Sequence, residues 1–249
     1  MNSDYQYSPQ KFSVLPPVCK NLIIINAIAY LATYVLQIRN VIDLTDILGL
    51  HLYASSHHHV WQYFTYAFMH GGFTHLFMNM FALWMFGSVL ENVWGARKFL
   101  IYCFVAAIGA AIIQQLTYWF MYHDLVADVQ RIAASSAAFV NTDDGMMTKE
   151  IFMEKATFLI DHINTVGASG IVFGLLLAFG LTFPNTYVYF YFLVPIKAKW
   201  FVLGYVLLEL FEGVFRSADG VAHFAHLGGA LAGLILLLIW NKGWKRRYY

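Results

Sequence analysis

Charge is the scarcest commodity in this sequence. Only 12% of its 249 residues are Asp, Glu, Lys or Arg, against about 25% in a soluble domain. With 60% hydrophobic residues and a mean hydropathy of +0.59, this excludes an ordinary water-soluble domain. The net charge of +1 gives no footing for a nucleic-acid partner. Cysteine is nearly absent too. Cys19 stands at the mouth of the first apolar run and Cys103 inside the third, so different depths and no disulfide framework are expected. No His-Glu-x-x-His occurs, which removes a zinc protease. The stretch 1–17 is polar and lacks a signal-peptide pattern, and no internal repeat is evident.

What is present is a series of apolar runs approaching 20 residues. That is the length of a helix crossing a hydrocarbon core of about 30 Å, and too long for membrane strands. The expected fold is an all-α membrane protein with six transmembrane helices: Asn21–Gln37, Thr74–Leu90, Phe99–Met121, Thr165–Phe183, Ala198–Phe215 and Val221–Trp240. An even number puts both termini on one side. If that side is cytoplasmic, it holds Lys11, Lys20, Arg97, Lys98, Lys197, Lys199, Lys242, Lys245, Arg246 and Arg247. The opposite side holds Arg39, Arg131, Lys149, Lys155 and Arg216, as the positive-inside rule wants. The expected domains are a polar cytoplasmic N-terminus (1–17), a membrane domain (18–241) and a basic cytoplasmic tail (242–249).

Two outer segments are long. The first, 38–73, carries His51, the run His57-His58-His59, and interface-type aromatics such as Trp61 and Tyr63. The histidine run has no carboxylate or cysteine at ligand spacing, so a solvated loop is expected and no metal. The second, 122–164, is acidic and includes a helical pattern of Phe152, Ala156, Leu159 or Ile160, and Ile163. Such a helix suits the outer membrane surface, or equally an ordinary connector.

Thr165 to Gly174 reads Thr-Val-Gly-Ala-Ser-Gly-Ile-Val-Phe-Gly, a small-residue cluster with one serine. Alone, Ser169 has a plain structural reading as a hydroxyl bonded back along its helix or packed at a helix contact. Its company changes that. Ser169 is the fifth residue of its expected span and His226 the sixth of its own, while His75 and Asn79 are the second and sixth of theirs. All three spans enter from the outer side, so at ~1.5 Å per residue these groups lie within about 10 Å of that end. Polar groups at such depth are costly unless they face one another or a water-filled cavity. His75 and Asn79, four apart, share a helix face. Gly170 and Gly174 on one span, and Ala225, Gly229 and Gly233 on another, form stripes that let backbones approach closely.

A serine meeting a histidine makes a nucleophile and its general base. Unpaired N–H groups at the serine's helix end, the Asn79 amide and the His75 ring supply donors for an oxyanion. No carboxylate is clearly placed to orient His226. Asp219 lies seven residues earlier near the membrane surface, and Glu209 and Glu212 near the outer end of the fifth span. The reading is a dyad rather than a triad. His223 competes with His226 as base, and the glycine register favours His226.

These motifs resemble the rhomboid family of intramembrane serine proteases. The resemblance rests on Gly167-Ala168-Ser169-Gly170, on His75 and Asn79 preceded by His70, and on Ala225-His226 through Gly229 to Gly233. It covers all six spans. It implies a rhomboid-type bundle with Ser169 as nucleophile and His226 as base. His75, Asn79 and the Ser169 backbone N–H would form the oxyanion hole, and Glu91 ahead of Trp94-Gly95-Ala96-Arg97 matches a structural motif. Phe173 stands where the family often has a tyrosine packed on the catalytic ring, and Trp61-Gln62 where it often has Trp-Arg. The implied activity is cleavage of transmembrane protein substrates near the outer face of a bilayer, with no cofactor and no metal. The expected location is a bacterial plasma (inner) membrane, the site opening outward. The alternatives are a non-catalytic rhomboid-like binder of membrane helices and a transporter. The second predicts polar groups spread across the membrane depth, and the inner halves of these spans are apolar apart from their ends.

Overall fold

In a chain this poor in charge, long apolar segments are stable only where their backbone groups pair internally, and helices do this. The computed structural model describes residues 12–142, 145–190, 193–215 and 221–245. The first eleven residues of the expected N-terminal segment and the last four of the basic tail lie outside the described residues, as do Asp143, Asp144, Arg216 and Asp219.

Helix α1 spans Pro17–Ile38, with proline at its start, where a missing N–H costs nothing. The next two N–H groups, of Val18 and Cys19, donate to the buried Glu91 carboxylate at 2.9 and 2.7 Å. A negative charge there also meets the positive end of the helix dipole. After the short helix α2 (Leu44–Leu48), strand β1 (Leu50–His51) and helix α3 (Gln62–Thr65), the chain enters α4 (Phe73–Ala82). A π-turn at Leu83–Gly87 joins α4 to α5 (Ser88–Trp94). Gly95, at φ 79°, makes the left-handed stop before α6. α6 covers Ala96–Ala134, 39 residues, or about 58 Å. Strands β2 (Phe139–Thr142) and β3 (Gly145–Thr148) form a hairpin, then α7 (Lys149–His162) and β4 (Asn164–Thr165) lead to α8 (Ser169–Thr182). A second hairpin, β5 (Tyr187–Phe190) and β6 (Val194–Lys197), precedes α9 (Ala198–Phe215) and α10 (His223–Lys245).

The core is the contact of α6, α8 and α10, and it is built on small residues. A Cβ on Gly229 would collide with the Gly170 backbone, and one on Gly109 with Ala232. Beside Gly174, Ala106 leaves only 3.0 Å for such an atom. The Tyr102 hydroxyl donates to the Gly174 carbonyl at 2.7 Å and occupies the space beside Gly233. Helix backbones thus touch directly, which is how helices gain packing energy when lipid offers no hydrophobic drive.

The fold is mostly helical, as expected, and departs from the expected all-α bundle in its details. Among the described residues four helices are long and apolar enough to cross a membrane: Pro17–Ile38, Phe73–Trp94, Ala96–Ala134 and His223–Asn241. α8 has only 14 residues, and α9 has 18 but carries Lys199, Glu209 and Glu212. Three two-stranded sheets are present. α6 runs well past the expected end at Met121 because nothing in Tyr122–Ala134 breaks a helix, and Arg131 pairs with Asp128 one turn back at 2.8 Å. The apolar face of α7 is Ala156 and Ile160, not Leu159, and Ile160 packs with Leu52, Tyr118 and Val126 of the protein itself.

The two long connections are tied together. β1 pairs antiparallel with β4, Leu50 opposite Thr165 and His51 opposite Asn164. The Asp161 carboxylate accepts from the Ser55 hydroxyl at 2.7 Å, the Ser56 N–H at 2.9 Å and the Ser56 hydroxyl at 3.0 Å. Fully buried Gln62 closes the first connection on itself. Its Oε1 accepts from the N–H groups of His51 (3.3 Å) and His59 (3.1 Å), and its Nε2 donates to the carbonyls of Ile47 (3.1 Å) and His57 (2.7 Å).

Candidate active site

β4 delivers the chain to the serine. Gly167, at φ 127°, holds a conformation that L-residues avoid, and its N–H donates to the Tyr66 carbonyl at 2.9 Å. No helix passes through such a residue, so α8 begins at Ser169 rather than at the expected Thr165. The serine is the first residue of its helix, not the fifth. The first helical bond runs from the Val172 N–H to the Ala168 carbonyl at 3.0 Å. The N–H groups of Ser169, Gly170 and Ile171 therefore precede the ladder, at the positive end of the helix.

Opposite stands His226, in the first turn of α10. Its Nε2 lies 2.8 Å from Ser169 Oγ. Its ring lies flat on Phe173, with centroids 4.4 Å apart and planes 5° apart. Phenylalanine at this position thus still provides a stacking face. The remaining ring nitrogen, Nδ1, is 2.8 Å from Glu209 Oε2. The same oxygen lies 2.8 Å from Nδ1 of His223. All three residues are buried, with 6% exposure for Glu209, 3% for His223 and 9% for His226.

His75 comes from α4. A Cβ on Gly167 would lie 2.8 Å from His75 Nε2 and 3.6 Å from Ser169 Oγ. The missing side chain therefore leaves a gap flanked by the imidazole and the serine hydroxyl. His70, buried, sits edge-on to His75 with centroids 5.0 Å apart. Asn79 is buried one turn further along α4, and one of its amide hydrogens goes to the His75 carbonyl at 3.0 Å. A cavity of about 200 Å³ opens beside this group, bordered by Tyr118, Thr165, Gly213, Ala222 and His223.

Glu209 is the residue that sequence reasoning underrated. The signal was available: a carboxylate inside the apolar run of α9 is costly and survives where it finds partners. Spacing along α9 gave no view of which residue on α10 it meets.

Two groups among the described residues have the donor set for a cation: Glu209, His223 and His226, and separately Asp46, His51 and His57. The second corrects the expectation that no carboxylate stands beside the histidine run, since Asp46 Oδ1 is 2.7 Å from His57 Nδ1. α2 brings it there from eleven residues away, beyond the reach of a local spacing rule. In the first group the donor atoms are already paired with one another; in the second Asp46 pairs with His57, and both ring nitrogens of His51 face backbone carbonyls.

Comparison with known proteins places the chain in a family. The family model described as the rhomboid domain matches residues 57–242. The chain is similar to the Arabidopsis thaliana "Rhomboid-like protein 16, chloroplastic", 25% identical over 181 residues, covering 72% of this chain and 48% of that protein. It is also similar to "Rhomboid protease GlpG" of Salmonella choleraesuis (strain SC-B67), 34% identical over 56 residues, covering 22% of this chain and 20% of the relative. The chain spans less than half the length of these curated relatives.

Proposed function

The chain belongs to the rhomboid family, and from that premise we propose that it is an intramembrane serine endopeptidase acting through Ser169 and His226. The observation that carries the reading is the 2.8 Å contact between Ser169 Oγ and His226 Nε2. As Oγ attacks the scissile carbonyl, its proton passes to Nε2 and the Oγ–C bond forms. The imidazolium then gives that proton to the departing amine. Water attacks the resulting ester with the same nitrogen as base, and the acid product leaves Ser169 free.

The oxyanion forms in the gap that Gly167 keeps open. His75 Nε2, the Ser169 N–H and the second amide hydrogen of Asn79 are its donors; the first is spent on the His75 carbonyl. Gly170, Gly229 and Gly233 bring the two halves of the site to this distance, Phe173 holds the base's ring, and His70 backs His75.

In this reading the chain has six spans, with α8 and α9 added to the four longer helices and both termini cytoplasmic. The shortness of α8, 14 residues, fits this reading, since a serine at its first turn would then lie below the outer surface. The membrane body is 18–241, and α6 carries the connection 122–164 outward from it. The substrate is a transmembrane segment of another protein, cut near the outer interface, where small residues let its helix unwind. The membrane is a bacterial plasma (inner) membrane, and the reaction needs no metal or cofactor.

The test is cleavage of a model transmembrane substrate in proteoliposomes. Wild type is expected to cut it and Ser169→Ala to leave it intact. Equal cleavage by the two would remove the proposal.

A further inference from the structure

The buried triplet of Glu209, His223 and His226 goes beyond a serine–histidine pair. We infer that Glu209 is the positioning residue of this site, its carboxylate fixing the ring orientation and tautomer of His226. The inference rests on the reading of Ser169 and His226 as nucleophile and base.

A carboxylate oxygen only accepts. An oxygen 2.8 Å from both Nδ1 atoms therefore requires N–H at each of them. A lone pair on His226 Nδ1 would face the carboxylate's own negative charge. The proton is thus held on Nδ1, and Nε2 keeps its lone pair, directed at the Ser169 hydroxyl 2.8 Å away. This is the tautomer a general base needs. When Nε2 takes the serine proton the ring becomes positive, and the carboxylate stabilises that charge without accepting a proton itself.

The surroundings fit this assignment. Glu212, the other carboxylate on α9, reaches only to 3.9 Å from His223 Nδ1. His223 gives Glu209 a second donor, which fixes the carboxylate from the side away from the serine. Phe173 fixes the imidazole plane and the Glu209 bond fixes rotation within that plane, so the ring is constrained in both senses. Among the described residues the titratable groups facing His226 are Glu209 on α9, His223 on its own helix and His75 on α4, with Glu212 reaching His223 only at 3.9 Å.

Cleavage of a transmembrane substrate and fluorophosphonate labelling, each followed across about pH 5 to 9 in one detergent, test this. The variants are Glu209→Gln, Glu209→Asp and Ser169→Ala. The glutamine amide donates to Nδ1 as readily as it accepts, which frees the wrong tautomer. Glu209→Gln is expected to lower kcat by ~10²–10⁴-fold with KM and melting temperature near wild type. The rising limb of its pH profile moves to lower pH, because the imidazolium loses its counter-charge. Glu209→Asp restores part of the rate. Wild-type turnover in Glu209→Gln with the limb unmoved would overturn the inference. So would a loss that follows melting temperature in both variants while the limb stays fixed. If Glu209→Gln does not fold, Glu209→Asp decides, and an unchanged rate and limb count against the inference. Labelling that survives in Ser169→Ala is a different failure, since it overturns the nucleophile assignment beneath.

Discussion

The molecule contains two clusters of the same composition, two histidines and one carboxylate, and they do different things. In the first, Glu209 bridges His223 and His226 among α9 and α10, and the far nitrogen of His226 meets a serine hydroxyl. In the second, Asp46 meets His57 at 2.7 Å and His51 at 3.5 Å. There both ring nitrogens of His51 point at backbone carbonyls, Nδ1 at Asp161 (3.0 Å) and Nε2 at Asp46 (2.7 Å). Neither presents a lone pair to a reactant. Chemistry is decided by what stands on the side of the imidazole that the carboxylate does not touch. The first cluster is a tool, and the second is a clasp between the two long connections.

The largest expected contrast is between single histidines. His226→Ala should abolish cleavage, a fall on the order of 10⁵–10⁶ where nucleophile and base act as a unit. His223→Ala should keep appreciable turnover, and His57→Ala nearly all of it. These are rates of substrate cleavage on folded preparations. Loss of activity in His223→Ala with survival in His226→Ala would reverse the assignment of the base.

Next in size is Asn79→Ala. A donor used mainly in the transition state should cost ~10²–10³ in turnover, tempered here because His75 and the Ser169 N–H remain. Measuring rate and melting temperature on one sample separates this from a structural asparagine, whose loss costs about 0.6–2 kcal/mol of stability. A variant that melts early yet turns over normally when cold would place Asn79 with the scaffold.

The clasp should answer to stability instead. Gln62→Ala strands the N–H groups of His51 and His59 and the His57 carbonyl around a fully buried position, while the Ile47 carbonyl keeps the Trp61 indole N–H at 3.1 Å. The expected cost is about 1–3 kcal/mol, read as a lower melting temperature. A melting temperature equal to wild type would show that the four bonds together are dispensable.

The smallest effect is in pH. The Asp46 hydrogen bond holds His57 above the usual imidazole range, against the pull of burial. Its contribution is full below about pH 6.5 and fades as pH rises through the raised value. Burial pushes Asp161 up, but hydrogen bonds from Ser55 and Ser56, with the nearby His57, outweigh it and hold the carboxyl low. Its contribution is present above about pH 3.9 and fades as pH falls through the lowered value. The clasp is thus tightest between these limits. Hydrogen exchange at the Leu52 N–H, which bonds the Ile163 carbonyl at 3.0 Å, should lose protection above neutral pH after correction for intrinsic rates. Protection that stays flat into alkaline solution would break this account of the clasp.

How much of this was legible in the sequence follows the range of the contacts. Apolar runs marked the helices, and glycines four apart on two runs pointed to the seam where Gly229 meets Gly170. Polar residues at one depth placed Ser169, His226 and His75 in one neighbourhood. What stayed hidden depends on partners far off in the chain. No periodicity reports that His51 pairs with Asn164, or that Asp161 reaches back to Ser55. The true start of α8 was hidden because it depends on one backbone angle at Gly167. Glu209 was visible but its partner was not, since the rotation of α9 against α10 is a packing outcome.

The central claim is that Ser169 is an activated nucleophile, and fluorophosphonate labelling of the folded protein in detergent, mapped by mass spectrometry, tests it most directly. The account predicts one labelled residue, Ser169, with labelling lost in Ser169→Ala and in His226→Ala. Label on another residue, or label that persists when either side chain is removed, would contradict it.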